Sequence, residues 1–314
     1  MRTPEAGGGS AGSEGPIFSD PTGSQDRCLG AVCETPALPP QPDVPFLGDA
    51  GDGWLRLIEA DWALGPQTEG YRCIRQTMTR DVYVTAFAPL VPTGTHHTVL
   101  EVHRSSVEPD GVTVCGVTAG GERRLQGAGA GTQPTPLPDG VAMKIGAGEQ
   151  LLMNLHLFNA TNDVLRGTSG MRIKVAAQEQ VKYEAEVRLM GPLNLQIPRG
   201  QVTQGGSCKF GSPATIFSVA PHMHQLGVHA KVVAHSAIGG DRVLLDMPYE
   251  FTHQLVYPIA PVQLAAGDSI SVECTYLNTT DRTVSWGDST LSEMCFASVG
   301  AYPSTNSDGM PCWN

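Results

Sequence analysis

The chain has 314 residues, long enough for two domains or for one large all-β domain. It carries 20 basic against 31 acidic residues, a formal net charge of −11, and its Lys and Arg are scattered rather than clustered; phosphate neutralisation has little to work with, which excludes nucleic acid as a partner. Hydrophobic residues make up 40% of it, too many for a disordered chain, yet no apolar stretch approaches the roughly 18 residues that a membrane span needs.

Residues 1–45 are rich in Gly, Ser and Pro and end in the run Pro36-Ala-Leu-Pro-Pro-Gln-Pro42. We expect a flexible leader there, left after a signal or lipid anchor is removed. From about residue 46 the pattern changes. Short runs with β-branched or alternating apolar residues recur: Asp81–Phe87, Thr98–Val102, Gln150–Leu157, Met171–Val175 and Glu184–Leu189, then Thr215–Val219, Ala230–Ala234, Val243–Leu245, Ser269–Tyr276 and Phe296–Val299. Their period near two predicts strands, and the Pro-Asp-Gly, Gly-Gly-Asp and Ala-Gly-Asp segments between them predict turns. No segment shows a helical period. The expected fold is all-β, two tandem antiparallel β-sandwiches over 46–178 and 179–314, with the break between Ala176 and Lys182. No sequence repeat links the two halves. Gly127, Gly129 and Gly131 imitate a phosphate-binding loop, but no Lys-Ser/Thr follows and three prolines do, so the segment reads as a surface loop.

Eight cysteines, with no Cys-x-x-Cys pair, read as four disulfides of an exported protein: secreted, periplasmic or at the cell surface. Spacing alone does not choose the pairing. Asn159-Ala-Thr161 and Asn278-Thr-Thr280 fit the glycosylation pattern, which matters in a eukaryotic host.

The histidines cluster in sequence elements that suit a metal. His96 and His97 follow Val-Pro-Thr-Gly-Thr; neighbours on a regular strand face opposite ways, so both reach one ion only at a strand end or a bulge, or through different ring nitrogens. His156 lies inside an apolar run, with Asn154 and Phe158 on its face. His222 and His224 are two apart, so on a strand they share a face and a cation. Met294 follows Glu293 and precedes Cys295. Three imidazoles suit copper or zinc, whereas two imidazoles with a thioether favour copper, because soft sulfur holds Cu(I). His103, His229, His235 and His253 have no second ligand in register; His103 is nearest the His-His pair and is the candidate to support it.

These pieces, in order, resemble the copper type II ascorbate-dependent monooxygenases, the family of peptidylglycine α-hydroxylating monooxygenase and dopamine β-monooxygenase. The matching segments are His96-His97, Leu155-His156, His222-Met-His-Gln-Leu-Gly227, Gly267-Asp-Ser-Ile270, Cys274-Thr-Tyr276, Gly287, Glu293-Met-Cys295 and Tyr302-Pro303, within roughly residues 70–312. The resemblance implies two copper ions: one held by His96, His97 and His156, the other, where O2 reacts, by His222, His224 and Met294. It implies two β-sandwiches facing across a solvent-filled cleft, with Tyr71 beside the first copper. It pairs Cys73 with Cys115, Cys208 with Cys312 and Cys274 with Cys295; Cys28 and Cys33 have no family partner and are expected to pair with each other.

The implied activity is hydroxylation of a C–H bond in a small organic substrate by O2 and an outside one-electron reductant such as ascorbate, at a dinuclear, uncoupled copper centre. In the peptide-amidating members an Arg, an Asn and a Tyr hold the peptide's carboxylate. Here Ala220, Phe296 and Ser298 stand at those positions, so a C-terminal glycine peptide is not the expected substrate and the pocket is expected to be more apolar. The alternatives are an extracellular copper-binding protein without catalysis, and an adhesion module whose histidines are incidental.

Overall fold

A computed structural model describes residues 27–28, 36–41, 46–116, 121–251, 253–287 and 291–305. Among them about 60% lie in strands, and the one helical turn is a 3-10 segment, Gln178–Gln180. It falls inside the expected break.

The first half is built from two sheets. One has the order Arg27–Cys28, Thr68–Thr77, Gln150–Asn159, Thr95–His103 and Arg123–Gly129, with Gly111–Cys115 also on Thr68–Thr77. The other has the order Tyr183–Glu184, Val141–Ile145, Val82–Leu90, Leu165–Ala176 and Leu55–Leu64, with Thr135–Pro136 on Val82–Leu90. Their facing side chains, among them Leu57, Trp62, Phe87, Leu100, Leu155 and Met171, form one buried cluster. Gln150–Asn159 is central in its sheet and is buried at every position but Phe158, which is why its sequence reads as a continuous apolar run.

The second half repeats the plan. Glu186–Met190, Phe296–Tyr302, Ala214–His222 and Tyr257–Leu264 form one sheet; Gly200–Lys209, Ser269–Asn278, Gly227–Ser236 and Gly240–Pro248 form the other. Ser269–Asn278 buries every second residue, the period-two pattern of a strand with one face on the core. Ile216, Val232, Val272, Tyr276 and Val299 belong to this second cluster. The halves are not cleanly separated. Tyr183–Glu184 pairs in parallel with Val141–Ile145, while Phe217 and Tyr302 of the second half pack on the first half's core.

Three expectations change. The leader is not wholly loose: Arg27–Cys28 pairs with Thr68 and Glu69, and the Gln41 amide exchanges two 3.0 Å hydrogen bonds with the Asp61 backbone. Gly127 and Gly129 do not lie in a surface loop but in the strand Arg123–Gly129, paired with Thr95–His103. The glycosylation pattern is masked. Asn159 and Asn278 are buried, and each side-chain nitrogen already donates to backbone carbonyls, of Gly65 and Asp163 in one case and of Ile197 and Arg282 in the other.

Cys73–Cys115 and Cys274–Cys295 are disulfides. Cys208 is disulfide-bonded as well. Its expected partner Cys312 and the expected Cys28–Cys33 bridge lie outside the described residues.

Candidate metal centres

The first histidine set is made by a bulge. His156 pairs with His97, but the next residue, Leu157, pairs with Thr95, so His96 is the extra residue of its strand. An extra residue breaks the alternation of faces and lets adjacent side chains turn to one side. The turn before it explains the local fold. Gly94 adopts φ +97°, a left-handed conformation that favours glycine, and a Cβ there would lie 2.6 Å from the Trp62 ring. The Thr95 N–H donates to the Pro92 carbonyl and the Phe158 N–H to that of Gly94, closing the turn onto the His156 strand.

His96, His97 and His156 each bring a ring nitrogen to within 4.8 Å of the others. The Nδ1 atoms of His96 and His97 are 3.0 Å apart. His156 Nε2 donates to the buried Glu69 carboxylate at 3.3 Å, which leaves Nδ1 as the free lone pair; that atom is buried and has no hydrogen-bond partner. A buried, unpartnered nitrogen facing two other imidazoles fits a bound cation. Tyr71 lies flat on His156, with ring centroids 4.5 Å apart. His103 is at the far end of the strand, paired with Gln150, and supports neither His96 nor His97.

In the second set, His222 ends the strand Ala214–His222 and His224 follows it. His222 Nδ1 donates to Gln254 Oε1 at 2.8 Å and His224 Nδ1 to the Ser292 carbonyl at 3.0 Å, so Nε2 is the ring nitrogen of each that bears the lone pair. Met294 lines the same cavity as both histidines. Glu293, fully buried, ties the two segments together: it accepts from the His224 N–H at 2.8 Å and the Leu226 N–H at 2.7 Å. Burial pushes its carboxyl up to about 7. The Cys274–Cys295 bridge fixes the residue after Met294, and Tyr276 Oη donates to the Met294 carbonyl.

Desolvation holds His96, His97 and His222 neutral. It is the largest influence on His96, lowered to about 4, and on His222, lowered to about 3; His97 is lowered well below its ordinary value by the same cause, with the neighbouring imidazoles adding to it. Neutral imidazole is the form that offers a lone pair to a metal.

The two sets meet. The rings of His97 and His222 are 6.1 Å apart between centroids, and Phe251 lies 4.3 Å from His96 and 6.3 Å from His224. The halves are thus in ring contact here, rather than separated by solvent as the resemblance implies. Beside the contact is a cavity of about 400 Å³, walled by both halves; it includes Ala220, Phe296 and Ser298.

A profile of the copper type II ascorbate-dependent monooxygenase C-terminal domain matches residues 183–312. That segment belongs to this family. No curated protein matches the chain. Among solved structures it is similar to infectious bursal disease virus Gx strain (10% identity, 83% of this chain and 74% of that one, TM-score 0.19) and to the T=1 Penaeus vannamei nodavirus (12%, 90% and 99%, 0.20). A third is dimeric latent PorU from Porphyromonas gingivalis (9%, 75% and 25%, 0.21). These scores are far too low to carry any argument about function. The monooxygenase-family segment contains His222, His224 and Met294, while the three-histidine set lies before it.

Sequence reasoning missed Glu69, Phe251, Gln254 and the role of Glu293. For Glu293 the one hint was its place next to a candidate ligand, which did not reveal its burial or its N–H partners; Glu69, in a polar stretch, gave none. Phe251 and Gln254 carry none, because they sit in a connection between strands that only the folded chain brings to His222, His224 and His96.

Proposed function

We propose that this protein is a copper-dependent monooxygenase that hydroxylates a C–H bond of a small apolar substrate, using O2 and an external one-electron reductant such as ascorbate. The observation that carries it is the pair of independent donor sets, three imidazoles in one and His222, His224 and Met294 around one cavity in the other. The family match over residues 183–312 supports it.

In this reading His96, His97 and His156 hold one ion and His222, His224 and Met294 a second, with no residue shared, the dinuclear, uncoupled arrangement. Copper, when bound, supplies the one-electron redox steps and the activation of O2. The chain does the rest. Glu69 orients His156 through Nε2, and Ser292 orients His224 through Nδ1. Met294 supplies a soft sulfur that suits Cu(I) over Cu(II). Phe251 and Phe296 help to keep water from the cavity, while Ala220 and Ser298 leave room for the substrate. Arg124 also lines it, but its guanidinium is paired with Glu101 at 3.3 Å, and the walls around it are largely apolar. That suits a neutral, apolar compound better than a peptide carboxylate. The two halves, 46–178 and 179–314, each provide one set. The disulfides suit an oxidising compartment, so we place the protein outside the cytosol, secreted, periplasmic or on the cell surface.

A copper titration followed by electron paramagnetic resonance tests this reading. Two equivalents should bind, one lost in His222→Ala and the other in His97→Ala. Binding of a single equivalent would sink the proposal. Oxygen uptake by the loaded protein with ascorbate, measured across a panel of neutral aromatic and aliphatic compounds, separates an oxygenase from a copper carrier, which would show background uptake with every compound.

A further inference from the structure

We propose that Gln254 is a positioning residue for His222, and that the first half of the chain sets Gln254 in place through the bare backbone of Gly129. The functional consequence rests on the metal-binding reading above; the positioning itself can be read without a metal.

Gln254 lies between the strands Gly240–Pro248 and Tyr257–Leu264. The connection is tied at its start to the His-Met-His segment. The Tyr249 hydroxyl donates to the Met223 carbonyl at 2.7 Å and accepts from the Met223 N–H at 3.0 Å. Further on, Gln254 Nε2 donates to the Phe251 carbonyl at 3.4 Å, which turns its Oε1 toward His222. The oxygen can only accept, so His222 Nδ1 carries the proton and Nε2 keeps the lone pair. Without such an acceptor a neutral imidazole is free to carry its proton on either nitrogen, and the Nε2–H form cannot bind a cation.

The backbone of Gln254 packs closely against the other half. A Cβ built on Gly129 would lie 3.0 Å from both the N and the O of Gln254 and 3.2 Å from its Cβ. A side chain there would be tighter than ordinary van der Waals contact, so Gln254 would have to shift to admit it. Gly129 is in the strand register of His97. One short contact therefore links the strand that carries the first histidine set to the group that fixes the proton of His222. The support of His222 thus abuts the first half at a single backbone position.

The test uses the full-length, metal-free protein with ¹⁵N-labelled histidine, at neutral pH. His222 should show the Nδ1–H form in the wild type and in Gln254→Glu, whose carboxylate also accepts. It should show a mixture of forms in Gln254→Ala and in Gly129→Val, although Gly129 belongs to the half that carries none of the second set. His235, bonded through Nδ1 to Asp241, is the internal control for retained folding. With copper added, the same two variants should bind the second equivalent about 10- to 100-fold more weakly, as expected when the support of a ligand is lost, and Gln254→Glu should restore it. An unchanged His222 spectrum in Gln254→Ala, or a wild-type spectrum in Gly129→Val, overturns the proposal. If the tautomers shift as expected but the wild type takes up no second equivalent, the copper reading fails and the positioning stands.

Discussion

At the scale of single residues, the imidazoles are prepared by what each does with its other nitrogen. His156 spends Nε2 on Glu69, while His222 and His224 spend Nδ1 on Gln254 and Ser292. The nitrogen that bears the lone pair is then fixed before any ion arrives. His96, His97 and His222 are also held neutral, with a consequence for stability. In the unfolded chain a histidine takes up its proton near pH 6.5, whereas in the fold His96 waits until about 4 and His222 until about 3. Between those limits the unfolded state binds more protons, so acid favours unfolding. We expect the melting temperature of the metal-free protein to fall steadily as the pH is lowered from 6.5 toward 4, and to fall less steeply in His222→Gln. A flat profile over that range would contradict the neutral-imidazole description. Met294 makes a separate prediction. Met294→Ala should abolish turnover while the three-histidine site keeps its copper, and full activity in that variant would refute its place in the second set.

His222 and His224 were legible in the sequence because a spacing of two is the strand period. His96 and His97 were legible only as a condition, a bulge or strand end, and the register shows the bulge. Glu69 and Glu293 escaped, because an isolated carboxylate in a sequence does not reveal that it will be buried and which N–H groups it will meet.

At the scale of elements, the turn Pro92–Thr95 and the bulge after it are one device. Gly94 supplies the left-handed corner and makes room for Trp62, whose indole N–H donates to Ser169 Oγ at 2.8 Å beneath it. Gly94→Ala meets both obstacles, the unfavourable φ and the indole ring. It should destabilise the protein by about 2 to 3 kcal/mol, and it should weaken copper at the three-histidine set more than at the second. Chemical denaturation and a copper titration measure the two effects. Strands were the most legible elements, since alternation survives wherever one face is solvated, as along Ser269–Asn278. The segment around Gly127 was misread because glycines in a row look like a loop. Here Gly127 and Gly129 are strand residues, and the missing side chain of Gly129 leaves room for Gln254 of the other half.

At the scale of the whole molecule, two halves with no sequence repeat share a plan and even a corner. Asn159-Ala-Thr161 closes the end of the strand Gln150–Asn159, and Asn278-Thr-Thr280 closes the end of Ser269–Asn278. In both, the Thr N–H donates to the Asn Oδ1 at 2.9 Å and the Thr hydroxyl to the same oxygen at 2.7 Å. In both, the Asn Nδ2 donates at 2.8 Å to the carbonyl four residues on. The two corners share the Asn-x-Thr pattern in the sequence, but the common hydrogen bonding, and the place of each at a strand end, could not be read from it. Removing one of these amides leaves several backbone groups unpaired. Asn278→Ala should cost about 2 to 3 kcal/mol, measurable by denaturant unfolding.

Those paired corners carry a consequence for any host that decorates asparagine with sugar. The transferase needs the amide nitrogen, and in the mature protein that nitrogen is sealed inside both corners. An oligosaccharide can be attached only to a nascent chain whose strand ends have not yet closed, and a chain so marked can no longer close them. In a eukaryotic secretory host the correctly assembled product should therefore leave the cell at its bare polypeptide mass, with any sugar-bearing molecules retained as misassembled material. Intact-mass spectrometry of the secreted and retained fractions would record, molecule by molecule, which came first, the corner or the glycan.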